Sequence, residues 1–116
     1  MVSQGLRIAQ NRDIIIEIKV TVNGEPLEMQ PGEKLQFGMK KNKSQTIYDL
    51  FGEATTSNVN EGGDGYIISF DFSDTNIDSG YYYYDIAYLT SDGKLLKVTE
   101  CEECYVSPSI VRGESE

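Results

Sequence analysis

The sequence predicts an all-β protein, a single domain built as a two-layer sandwich of about seven or eight short strands. Three observations predict it. Wherever the chain is apolar, apolar residues recur at every second position, which is the period of a half-buried strand. Clusters of Gly, Asn, Asp and Pro interrupt those runs at short intervals, as in "QPGE" at Gln30–Glu33, "NEGGDG" at Asn60–Gly65 and "SDGK" at Ser91–Lys94. No long stretch carries a 3.6-residue period. Short strands spaced by turn residues bury themselves as a sandwich or small barrel.

Taken in order, "LRIA" at Leu6–Ala9 reads as a short strand, followed by a polar break ending at Asp13. From there Ile14, Ile16, Ile18, Val20 and Val22 share one face, and Glu17, Lys19 and Thr21 share the other, with Ile15 among the polar set. "NGEP" at Asn23–Pro26 is a turn, because Asn and Gly tolerate positive φ and Pro fixes its own. Leu35, Phe37 and Met39 form the next inward set, and Lys40-Lys41-Asn42-Lys43 is a solvated turn. "SQTIYDLFGEA" at Ser44–Ala54 is the best helical candidate, yet it is short and interrupted by glycine, and it reads equally as a strand with a bend. Tyr66, Ile68, Phe70 and Phe72 alternate with Ile67, Ser69 and Asp71, and Leu96 pairs by parity with Val98. The domain is expected to span residues 1–112, with a polar tail at 113–116 that frays.

The segment "GYYYYDIAYLTSDGK" at Gly80–Lys94 holds five of the chain's eight tyrosines. Parity places Tyr82, Tyr84, Ile86 and Tyr88 on one face and Tyr81, Tyr83 and Asp85 on the other. Asp78, Gly80 and Tyr82 have the Asp-x-Gly-x-Tyr spacing of a tyrosine corner, in which a phenol near the start of a strand bonds back to the backbone just upstream. That spacing makes the expected fold an immunoglobulin-like antiparallel β-sandwich, with Tyr82, Tyr84 and Ile86 in its core. Tyr81 and Tyr83 either cover a half-wet sheet or form a contact patch for a partner protein or a sugar ring. With Ile15 they are the candidate partner contacts.

Composition narrows the functions. The 116 residues carry a net charge of −9, a surface that repels phosphate backbones and disfavours nucleic acid. There is no histidine, so the commonest general base and transition-metal ligand is missing. "CEEC" at Cys101–Cys104 lacks the further ligands of a structural zinc site, and its two glutamates work against a reactive thiolate. Two reduced cysteines are expected, with Cys104 a small buried hydrophobe. The acidic loops lack the spacing of a calcium-binding EF-hand, and no nucleophile elbow, P-loop or dinucleotide fingerprint is present. No catalytic residue, cofactor or metal is therefore expected, and the protein reads as a non-enzyme. The N-terminus lacks a secretory layout, and the longest aliphatic run, Ile14-Ile15-Ile16, is too short to cross a bilayer.

The ordered signals resemble the immunoglobulin-like N-terminal domain of phage baseplate upper proteins and related small β-sandwich proteins of tailed phages and prophages. The matching positions are Asp13; Gly24 and Pro26; Gly80, Tyr82, Tyr84, Asp85 and Ile86; Asp92, Gly93 and Lys94; and Pro108, Ile110 and Arg112. The resemblance spans roughly Leu6 to Arg112. It departs at Asn11-Arg12, where the family's glycine is missing, and at Cys104, where an aromatic is usual. It implies a non-enzymatic structural module of a phage or prophage tail particle. Its partners would be other tail or baseplate proteins, with homo-oligomers allowed and no nucleic acid or membrane. Its location would be the host cytoplasm and then the virion. A carbohydrate-binding module for cell-surface glycans is the alternative.

Overall fold

The computed structural model describes residues 6–99 and 101–110, and all of its regular structure is β. The strands are β1 (Leu6–Ala9), β2 (Ile14–Ile18), β3 (Thr21–Val22), β4 (Glu25–Pro26), β5 (Lys34–Lys40), β6 (Leu50–Ala54), β7 (Tyr66–Phe70), β8 (Gly80–Leu89), β9 (Leu95–Lys97) and β10 (Glu102–Ser107). Ten elements exceed the seven or eight expected because two strands are split. Val20–Leu27 folds into the small β3–β4 ribbon, and β9 and β10 are pieces of one interrupted strand along the same edge of β8. The interruption is a bulge, where the Val98 and Thr99 N–H groups both donate to Ile86 O. The polar tail at 113–116 and Arg112 lie outside the described residues.

The large sheet runs β1-β10-β8-β5-β6, and the small sheet is β2-β7. Strands β10, β8, β5 and β6 facing β2 and β7 reproduce the G-F-C-C′ against B-E layering of immunoglobulin-like sandwiches. Every pairing is antiparallel except β1 with β10, which is parallel.

The core lies between these layers. Leu35, Phe37 and Met39 on β5 are fully buried, and Tyr82, Tyr84 and Ile86 on β8, Cys104 and Val106 on β10, and Ile16, Ile18, Ile68 and Phe70 on the small sheet join them. The layers meet through rings, with Phe37 and Phe70 centroids 5.9 Å apart. Gly52 marks the tightest approach, since a Cβ there would come within 2.6 Å of Ile68 and 2.7 Å of Phe70. The Tyr82 hydroxyl donates to Asp78 O at 2.6 Å, the geometry of a tyrosine corner, and Gly80 between them holds φ +130°.

Alternation fails where it was carried past a strand end. Phe72 is 44% exposed in the turn after β7, and its N–H is held by the Asp13 carboxylate. Val22 in the β3–β4 ribbon and Leu96 in β9 are also exposed, because those short pieces have no second layer over them. Ser44–Asp49 is irregular and leads into β6, so the helical alternative for Ser44–Ala54 is overturned.

Candidate functional site: the outer face of the large sheet

Strand parity that buries one set of side chains exposes the other, and on the large sheet the exposed set includes Phe51, Tyr81, Tyr83 and Tyr105 among charged and polar residues. Register puts Tyr105 opposite Tyr81, Glu103 opposite Tyr83, and Arg7 beside Tyr105. On the far side of β8, Lys40 stands opposite Tyr83, and Gly38 stands opposite Asp85 and Phe51. The Tyr81 and Tyr105 rings lie 4.9 Å apart, and the Arg7 guanidinium sits 4.8 Å over Tyr105. The Lys43 ammonium lies 4.6 Å over the Tyr83 ring. Lys40 lies 5.0 Å over Tyr48, whose ring contacts Phe51 at 5.0 Å. Each cation–ring contact at an exposed site is worth about 0.5–1 kcal/mol, which biases the long side chains over the rings without offsetting their full rotamer entropy of about 2 kcal/mol.

Gly38 shapes the centre of this face. A Cβ there would fall 2.5 Å from the Tyr48 ring, so the bare backbone is what lets Tyr48 lie against the sheet. Beside it a depression of about 200 Å³ is flanked by Lys40, Lys43, Tyr83 and Asp85, with Cys101 at its rim. The Lys40 ammonium also donates to Gln45 O at 2.7 Å, which fixes the Lys40–Ser44 turn against the sheet. Positive groups thus gather over rings on one face of a chain whose net charge is −9.

The candidate contacts named from sequence do not converge. Tyr81 is 66% exposed and Tyr83 is half-buried under Lys43, both on this face. Ile15, also 66% exposed, is on the outer face of the small sheet, in the opposite layer. Asp78 and Gly80 form the corner, and Tyr82, Tyr84 and Ile86 face the core. Tyr105, Tyr48, Phe51, Arg7 and Gly38 belong to the face but were not singled out. Tyr105 was readable, since it alternates with Cys104 and Val106, whereas Tyr48 lies in irregular chain where parity has no meaning.

Burial raises the Tyr82 phenol to about 12, helped by the negative charge of Asp49 and Asp78. Tyr84 is also raised, by burial first and then by donating to Glu102. Tyr88 is half-buried and pushed up to about 12 by burial and by its hydrogen bond to Glu33. These phenols are structural and stay neutral. Cys104 is fully buried, and burial pushes its thiol up to about 11. Cys101, just before β10, is exposed, and both cysteines are free. Among the described residues no group of three His, Cys, Asp or Glu side chains could hold a metal ion, and no helix is long and apolar enough to cross a membrane.

No family model matches the chain, and no curated protein matches it. Among solved structures it is similar to the crystal structure of a candidate glycoside hydrolase from Bacteroides vulgatus, at 13% identity and a TM-score of 0.48. The match covers 90% of this chain and 16% of that one, so the chain spans about a sixth of that protein's length. A likeness at that level carries no argument about activity.

Proposed function

We propose that this chain is a non-catalytic docking module that binds a partner protein through the outer face of its large sheet. The observation that carries this reading is the row of rings across that face, running from Tyr105 and Tyr81 through Tyr83 to Tyr48 and Phe51, with Arg7, Lys43 and Lys40 packed over it. Tyrosine and arginine bring large contact area and hydrogen-bonding groups at low entropic cost, and they dominate binding energy where interfaces are measured. The depression over Gly38 suits a carboxylate side chain of the partner, which would meet the Lys40 and Lys43 ammonium groups. The resemblance to phage baseplate domains supplies the setting: assembly of a phage or prophage tail particle, with other tail or baseplate proteins as partners.

A sugar-binding platform asks for rings that lie flat and open side by side. Here Tyr81 and Tyr105 are inclined at 49°, Tyr48 and Phe51 at 38°, and Tyr83 is capped by Lys43. The face favours a contoured protein surface.

The test is a binding measurement between the purified chain and a panel of phage tail and baseplate proteins, with a glycan array run in parallel. A protein partner whose binding is lost in Tyr81→Ala/Tyr105→Ala supports the proposal. Glycan binding lost in the same variant replaces it with the carbohydrate reading, and protein binding indifferent to the substitutions overturns it.

A further inference from the structure

Among the described residues the small sheet has two strands, and β2 is paired on one side. Which backbone groups it leaves open follows from the ladder. The Ile67 N–H donates to Asn58 O at 2.8 Å, away from β2, so Ile67 and its partner Glu17 form a non-hydrogen-bonded pair. Ile14, Ile16 and Ile18 therefore exchange hydrogen bonds with Phe70, Ile68 and Tyr66, while Ile15 and Glu17 turn their N–H and C=O groups to the open edge. Among the described residues no strand covers that edge. Beside it the two layers gape in a hollow of about 410 Å³ between Glu17–Thr21 and Ile86, Val98 and Thr99.

Natural edge strands are guarded by lysine, proline, bulges or a covering segment. This one reads Ile-Ile-Ile-Glu-Ile, regular and β-branched, with Ile15 66% exposed. It is also self-complementary. A two-fold axis through Ile16 sets Ile15 against Glu17 of the second copy and Glu17 against Ile15 of the second copy, which forms four N–H···O=C bonds across the axis. The same register brings Asp13 opposite Lys19 of the second copy at both ends, opposite charges that would add to the contacts each already makes in its own chain, Lys19 with Asp64 at 3.4 Å and Asp13 with the Phe72 N–H. Ile14, Ile16 and Ile18 continue the inner face across the junction, and the added strand covers the hollow.

The geometry points to a homodimer in which two copies join β2 to β2 antiparallel, so that the two small sheets become one four-stranded sheet. This interface lies in the layer opposite the proposed docking face, so the dimer presents two copies of that face to partners.

Sedimentation analysis of the full 116-residue chain over a concentration series tests this. A dimer is expected. Ile15→Pro removes an N–H that points away from β7, so the intramolecular ladder is kept, and it should raise the dimer dissociation constant by roughly 30-fold or more with the thermal midpoint held. Lys19→Glu leaves every backbone bond in place, sets like charges against each other at both ends, and should weaken the dimer several-fold at low salt, less at high salt. A monomer at every concentration overturns the inference and leaves the edge to a strand of different sequence. A dimer unaffected by both substitutions also overturns it, because the association then uses another surface.

Discussion

Replacing Tyr82 by Phe removes one oxygen from the place where the fold turns its corner. The residue is 2% exposed, and its hydroxyl bonds Asp78 O at 2.6 Å. The ring stays, so no cavity opens, and the loss is one hydrogen bond. An intramolecular hydrogen bond of this kind is worth about 1 kcal/mol net, and more when the abandoned acceptor stays buried. Asp78 is in an exposed loop, where its carbonyl regains water, so about 1 kcal/mol is the expected cost. For a domain of this size that lowers the melting temperature by roughly 4–5 °C. Urea denaturation should show the midpoint falling by roughly 0.7 M with an unchanged slope of about 1.5 kcal/mol/M. A loss of under about 0.3 kcal/mol would show the corner to be idle. A loss above about 3 kcal/mol, the scale of a missing ring, would show that the hydroxyl holds something other than Asp78 O.

Other consequences are separable. Gly52→Ala drives a methyl into Ile68 and Phe70 and should cost about 1–3 kcal/mol by thermal melting, whereas Gly38→Ala meets only the half-exposed Tyr48 ring and should cost well under about 1 kcal/mol. Glu33 is held below the ordinary carboxylate value, first by the Gln30 N–H, then by the Tyr88 hydroxyl and the Ser91 N–H. Asp71 is lowered by the Ser73 side chain and the Asp74 N–H, and Asp64 by the Asn60 amide and then Lys19. A lowered carboxylate contributes stability that is complete above its unfolded value and is lost as pH falls through its native value. Stability should therefore drop on acidification below the ordinary carboxylate range, and Glu33→Gln should flatten that limb in denaturation curves taken against pH. A thiol reagent should modify Cys101 in the native protein and reach Cys104 only with unfolding; rapid labelling of both would contradict the buried placement of Cys104.

The inward half of this fold was legible because alternation is a strong signal where a strand is covered by a second layer. Leu35, Phe37 and Met39 fall on one face by sequence and have no exposed area in the structure. Asp78, Gly80 and Tyr82 carried enough local geometry for the corner to be read from spacing alone. Alternation says nothing about where a strand stops, and so Phe72 and Leu96 were carried inward although their segments have no layer above them. Nor does it say which sheet an outward residue belongs to. Ile15 and Tyr81 share an exposure of 66% and yet sit in opposite layers, because that depends on which strands pair. The aromatic face is assembled from β1, β5, β6, β8, β10 and an irregular turn, a juxtaposition set by non-local pairing rather than by any local run. The local hints are Tyr105, which alternates with the buried Cys104 and Val106, and Gly38, since a glycine inside a strand marks close approach from above.

The inward rings of β8 build the core, the outward rings of β8 and β10 are proposed to meet a partner, and the triple variant Tyr81→Ala/Tyr83→Ala/Tyr105→Ala tests that proposed division most directly. Outward rings that serve recognition should leave a folded chain with a cooperative melt while affinity for the partner falls by roughly 100-fold or more. A folded variant that binds within about twofold of the parent would contradict the account, because the face would then be only a wet covering of the sheet.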